Sequence, residues 1–121
     1  MKILHLHNNF KWYDMIESGE KPEEYRAMYW IKTICRSGKP PSGKGASYCA
    51  QQCPKLKPEC RKGIPTDYTH VCIHRAYTKT NMLWAIDTIT IGKGNPKWGA
   101  PEDDVVIIKL KERVANDIQI M

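Results

Sequence analysis

The chain reads as an α+β protein, a small mixed β-barrel of about five strands with one or two flanking helices and a long irregular basic loop. Three observations predict it. Short runs of period-two alternation occur at Lys2–His7 and, later, within Thr69–His74 and Trp84–Ile91. One stretch of helical period follows the first of them. Between them, Cys35 to Pro65 holds five of the eight prolines and four of the eight glycines, a composition that excludes a regular element and marks an insertion loop, 35–65.

The first alternating run, Lys2 to His7, sets Ile3, His5 and His7 on one face and Leu4 and Leu6 on the other. Asn8 or Asn9 can cap the helix that follows, a short side-chain oxygen accepting from its first-turn amides. In that helix Trp12, Met15 and Ile16 share a face at i, i+3 and i+4. Gly19 suits the left-handed position that ends it. Pro22 is tolerated at an element's start, and an extended segment is expected through Tyr25 and Arg26. After the insertion, Thr69, Val71 and Ile73 alternate with His70, Cys72 and His74 as a half-buried strand. Trp84 to Ile91 is the next strand. Gly92 to Pro101 is a glycine- and proline-rich loop, and a last strand runs from Val105 to Leu110.

A length of 121 residues fits one domain, 1–121, with one core. The apolar fraction of 41% against 26% charged excludes a disordered chain. No apolar run approaches the roughly 18 residues of a membrane span, and the beginning lacks the run of an export signal. Five cysteines, an odd number, argue against a disulfide framework. The expectation is a cytoplasmic protein with no membrane partner. Net charge is +6, and all of it falls between Cys35 and Pro65, where Arg36, Lys39, Lys44, Lys55, Lys57, Arg61 and Lys62 face only Glu59. A basic segment on a neutral body points to a polyanion, RNA or DNA foremost, and the partner expected is RNA or a nucleotide; the plainer alternative is a solvated loop rich in lysine.

The densest chemistry lies in Ser18-Gly19-Glu20-Lys21-Pro22-Glu23-Glu24-Tyr25-Arg26. Just beyond a helix end, a backbone turn can bring Lys21, Glu24 and Arg26 into one cleft. On a strand Glu24 and Arg26 face the same side. A carboxylate beside a guanidinium keeps its charge and orientation, and a desolvated lysine can serve as base or nucleophile. The alternative is a surface ion-pair cluster that contributes little.

Gly19-x-Lys21-x-x-Glu24-x-Arg26, directly after a helix, resembles the GxKxxExR signature of ASCH domains (activating-signal-cointegrator homology). Gly94-Asn95-Pro96-Lys97-Trp98-Gly99-Ala100-Pro101, followed by an apolar strand, resembles the closing part of compact bacterial and phage members. The resemblance implies a PUA-like β-barrel whose cleft is lined by the signature residues and binds RNA. It also implies two enzymatic alternatives, an amidohydrolase acting on N4-acetylcytidine and a ribonuclease; by the chemistry of the residues themselves, Lys21 as base or nucleophile with Glu24 as its partner would be the catalytic pair. In the amidohydrolases the lysine acts with a threonine three positions on and a later glutamate. Here Lys21 matches, Glu24 stands at the threonine's place, and Glu102 is the only glutamate between Cys60 and Glu112.

Independently of any family, Trp98 beside Lys97 can stack on a base while the lysine meets a phosphate; the other role for Trp98 is a lid over one barrel end. Tyr25, Trp30 and Tyr77 are further stacking candidates. No cofactor is required, but Cys35, Cys49, Cys53 and Cys60 supply four thiols to a loop with little to fold around, and structural zinc would order it. This gives a third reading, a zinc-stabilised protein-interaction module. His70, Cys72 and His74 share a strand face, and could meet His5 and His7 if the two strands are neighbours; a solvated histidine face is the alternative. Glu102, Asp103 and Asp104 are either a divalent-ion site or solvated acids.

Overall fold

The computed structural model describes residues 1–35 and 58–114. Strand β1 (Ile3–Asn8) buries Leu4, Leu6 and Asn8 and leaves His5 and His7 exposed, as its alternation requires. Asn9 then accepts the Trp12 amide at 3.0 Å and caps helix α1 (Phe10–Glu17). The helix buries Tyr13 and Ile16 and half-buries Trp12 and Met15, so its apolar stripe is wider than the expected Trp12, Met15 and Ile16 face. Gly19, at φ 88°, takes the left-handed conformation that ends it.

Strand β2 (Glu23–Arg26) leads into a 3₁₀ turn (Met28–Trp30) and the single turn α2 (Ile31–Ile34), which buries Ile31 and Ile34. Neither turn carries a long enough period to be read from sequence. Helix α3 (Pro58–Lys62) corrects the expectation that 35–65 lacks regular elements. Glu59 lies in its first turn and Arg61 and Lys62 in its last, the charge order that complements the helix dipole. Residues 36–57 lie outside the described residues.

Strands β3 (His70–Arg75), β4 (Asn81–Gly92) and β5 (Val105–Arg113) complete a five-stranded sheet in the order β1-β3-β4-β5-β2. β1 and β3 pair in parallel and every other pair is antiparallel. Register shifts between Trp84 and Thr88 bend β4, and the sheet curls into a half-barrel. Its two edges approach each other where Arg26 of β2 donates to the His7 carbonyl at 3.1 Å and to Asn8 Oδ1 at 2.8 Å on β1. One guanidinium thus closes the seam and satisfies an edge carbonyl.

The main core gathers Leu4, Leu6, Ile16, Val71, Ile73, Ile89 and Ile108. A smaller cluster on the other side of β2 and β5 joins Tyr25, Val105 and Ile107, with Trp98 and Ala100 packed against it. β3 differs from the expected half-buried strand: Cys72 and His74 are buried as well as Val71 and Ile73, so this inner strand is buried on both faces. Among the described residues no helix is long and apolar enough to cross a membrane.

Candidate functional site

The end of α1 delivers Lys21. Its amide donates to the Met15 carbonyl at 3.0 Å, and its side chain turns inward to 2% exposure. Nζ lies 2.7 Å from Glu24 Oε1, with the rings of Tyr25 and Trp12 centred 5.1 and 6.0 Å away. Glu24 is equally buried. The Tyr25 amide donates to the same oxygen at 3.2 Å, while Oε2 lies 3.2 Å from Arg26 Nη1, an ionic contact off hydrogen-bond alignment. Lys21, Glu24 and Arg26 therefore meet, but Lys21 and Glu24 are buried and only Arg26 lines an open groove, which departs from the expectation that all three share one cleft. They do so as a buried charged chain, not as the surface ion-pair cluster that was the alternative.

Above this chain sits the 92–101 loop. Asn95 caps its 3₁₀ turn (Pro96–Trp98), and its amide donates to Tyr25 Oη at 2.9 Å. Tyr25 in turn donates to Glu23 Oε1 at 2.5 Å. Burial is the main reason its phenol is held protonated well above the usual range, with the Glu23 carboxylate adding to the effect. A Cβ on Gly94 would lie 2.8 Å from the Tyr25 ring, and one on Gly99 would lie 2.7 Å from the Trp12 indole. Trp98 packs half-buried on the Tyr25 cluster, the lid arrangement, while Lys97 is exposed.

Along the seam runs an open groove of about 410 Å³. Tyr25, Arg26, Tyr29 and Trp30 line one side, with His5, His7 and Tyr77 on the other. Tyr29 is 65% exposed and Tyr77 89%, and the Arg26 guanidinium carbon lies 5.9 Å from the Trp30 ring centroid. Tyr77 stacks on His7 at 4.6 Å, and His7 on His74 at 4.7 Å. The turn that carries Tyr77 passes through Ala76 at φ 51°, a left-handed conformation disfavoured for alanine. His7 Nδ1 donates to the Ala76 carbonyl at 2.9 Å, and the Ala76 amide donates to the Asn8 carbonyl at 2.6 Å, which together hold that turn against β1. Sequence reasoning missed Tyr29 and the part His7 plays in the groove. The 3₁₀ turn exposing Tyr29 has no periodicity to announce it, and His7 acquires its position from a strand pairing distant in sequence.

β1 and β3 are neighbours, so imidazoles do meet: His5 Nδ1 lies 3.1 Å from His74 Nε2. Burial first, then the charges of His7 and His5, holds the His74 imidazole below its ordinary pKa. His70 is set apart, with Nδ1 2.7 Å from Thr69 Oγ1. Among the described residues, the metal-ligating side chains that converge are His5, Cys72 and His74. Of the four cysteines expected to share zinc, Cys35 packs into the apolar core, Cys60 is half-exposed on α3, and Cys49 and Cys53 lie outside the described residues. Asp104 pairs with Arg61 and lies 3.6 Å from Lys93 Nζ, and the Arg61 hydrogen bond holds its carboxyl below the usual range. Asp104 is thus engaged by cations of the chain itself.

No protein family, no curated protein and no solved structure matches this chain, so the likeness to ASCH domains rests on the residues quoted for it.

Proposed function

We propose that the protein binds single-stranded nucleic acid or a nucleotide, RNA foremost, in the groove along the seam. The observation that carries this reading is the pair of exposed tyrosines, Tyr29 and Tyr77, flanking Arg26 across an open groove. Large aromatic faces left in water at a concave site beside a guanidinium suit a base and its phosphate. Lys21 and Glu24 then act from below. Their buried pair fixes the carboxylate against which Arg26 is oriented, and Arg26 in turn lines the groove. The resemblance implies a cleft lined by Lys21, Glu24 and Arg26; of these, Arg26 lines this groove while Lys21 and Glu24 are buried. The basic segment adds non-specific attraction for phosphates.

The test is a fluorescence-anisotropy titration with a short labelled single-stranded RNA at about 50 and 200 mM salt. Affinity should fall steeply with salt, and Tyr77→Ala should weaken binding by roughly tenfold, within the 1–3 kcal/mol that one stacked base contributes. An affinity indifferent to both salt and Tyr77→Ala would reject the reading. Intact-mass spectra of the same RNA carrying one N4-acetylcytidine should remain unchanged; loss of the acetyl group, or shortened products, would replace binding by the amidohydrolase or the ribonuclease.

A further inference from the structure

We propose that His5, Cys72 and His74 form a zinc site whose fourth coordination position opens into a groove lined by His5, His7, His74, Tyr77 and Thr78. The proposal stands apart from the nucleic-acid reading. It uses donors on the face of β1 and β3 opposite the main core, and it would hold if no RNA bound.

Register creates the site. Parallel pairing sets His5 directly opposite Cys72 and His7 opposite His74, so all four side chains leave the same face of the sheet. Leu4, Leu6, Val71 and Ile73 take the opposite face and enter the core. One donor atom each from His5, Cys72 and His74 lies within 4.8 Å of the other two. His5 Nδ1 and His74 Nε2 are already 3.1 Å apart. Two nitrogens at about 2.0–2.1 Å from a tetrahedral zinc stand roughly 3.3 Å from each other, so these imidazoles need almost no movement. The thiolate needs a zinc–sulfur distance of about 2.3 Å, which a contraction of about an ångström from the outer limit supplies.

The donor set and its supports also fit. Two imidazoles and one thiolate select zinc over the hard cations magnesium and calcium, which take oxygen ligands. Three protein ligands with one open position are the arrangement of a reactive zinc, whereas a structural zinc is closed by four. Cys72 and His74 are buried and His5 is exposed, so the open position points outward. There a groove of about 420 Å³ is lined by His5, His7, His74, Tyr77 and Thr78. His7 is not a ligand in this arrangement. Its Nδ1 is committed to the Ala76 carbonyl, and its ring is sandwiched between His74 and Tyr77, which holds the His74 ring in plane. Both strands belong to the rigid sheet, which is where a preorganised site belongs.

The experiment uses untagged full-length protein, stripped with a chelator and titrated with cobalt(II) and then with zinc against a chromophoric competitor. One equivalent of cobalt should bind and give tetrahedral d–d bands with a thiolate-to-metal charge-transfer band, and zinc should displace it. Cys72→Ser should abolish the charge-transfer band. Because that change lies in the interior, His5→Ala is the exposed counterpart: zinc affinity should fall at least about tenfold, the minimum effect seen even for groups one shell further out. Cys49→Ser with Cys53→Ser should leave the spectrum intact. The proposal is overturned if no charge-transfer band forms, if the band survives Cys72→Ser, or if zinc affinity is unmoved by His5→Ala. Loss of the band in the Cys49→Ser, Cys53→Ser protein would overturn it too, moving the metal to the insertion.

Discussion

Lys21→Met is expected to cost about 3–5 kcal/mol of folding stability, the penalty for leaving one partner of a buried ion pair uncompensated. Both side chains are almost wholly removed from water, at 2% and 3% exposure, and Lys21 Nζ is the closest cation to Glu24 at 2.7 Å. Without it, Glu24 retains, among the described residues, the Tyr25 amide and the misaligned Arg26 contact at 3.2 Å. Urea unfolding of the variant should show an unchanged slope and a much lower midpoint. Adding Glu24→Gln should recover part of the loss, with a coupling of about 1–3 kcal/mol, because the orphaned charge is then gone. A single variant within about 1 kcal/mol of the parent would show that the pair contributes far less than its burial implies. Loss of RNA binding or of turnover in a Lys21 variant therefore has meaning only beside its unfolding curve.

The second large effect is expected at Gly99. A methyl group there meets the Trp12 indole at 2.7 Å, a rigid ring with its helix behind it, and the backbone at φ 89° adds left-handed strain. Overpacking of about 1–3 kcal/mol and a conformational cost of about 1 kcal/mol together give roughly 2–4 kcal/mol for Gly99→Ala. Gly63→Ala is the control, since its added methyl meets nothing within 4 Å. Thermal melts of the two should separate clearly. Equal melting temperatures would mean that the 92–101 loop does not press on Trp12.

The elements legible in the sequence are those whose signals are local. Alternation in Ile3–His7, the Asn9 cap and Gly19 at the helix end each act within a few residues, and each is found where those rules place it. The signature cluster was legible for the same reason: a helix stop followed by a short strand brings Lys21, Glu24 and Arg26 together without help from distant residues. What sequence could not supply is partnership. Nothing local to His5 reveals that Cys72 lies opposite it, and nothing local to Arg26 reveals that it bridges to Asn8. Trp98 illustrates the ambiguity from the other side, because an amphipathic ring beside a lysine carries the same sequence signal whether it meets a base or covers Tyr25.

The parallel pairing of β1 with β3 also orders events in time. Lys2 and Thr69 are 67 positions apart and hydrogen-bond to each other, whereas β3, β4 and β5 are successive antiparallel neighbours joined through residues 76–80 and 93–104. Closing so long a loop is the slow part of such a topology, although each further doubling of its length costs only about 0.6 kcal/mol. The three-stranded meander is thus expected to assemble first, with β1 and the seam docking last. Pulse-labelled hydrogen exchange should find the β1 amides protected after those of β4; simultaneous protection would dismiss this sequence of events. During synthesis, β1 must wait with its edge unpaired until His70–Arg75 exists. The same wait separates His5 from Cys72 and His74, so in a growing chain these three side chains converge only when β1 docks.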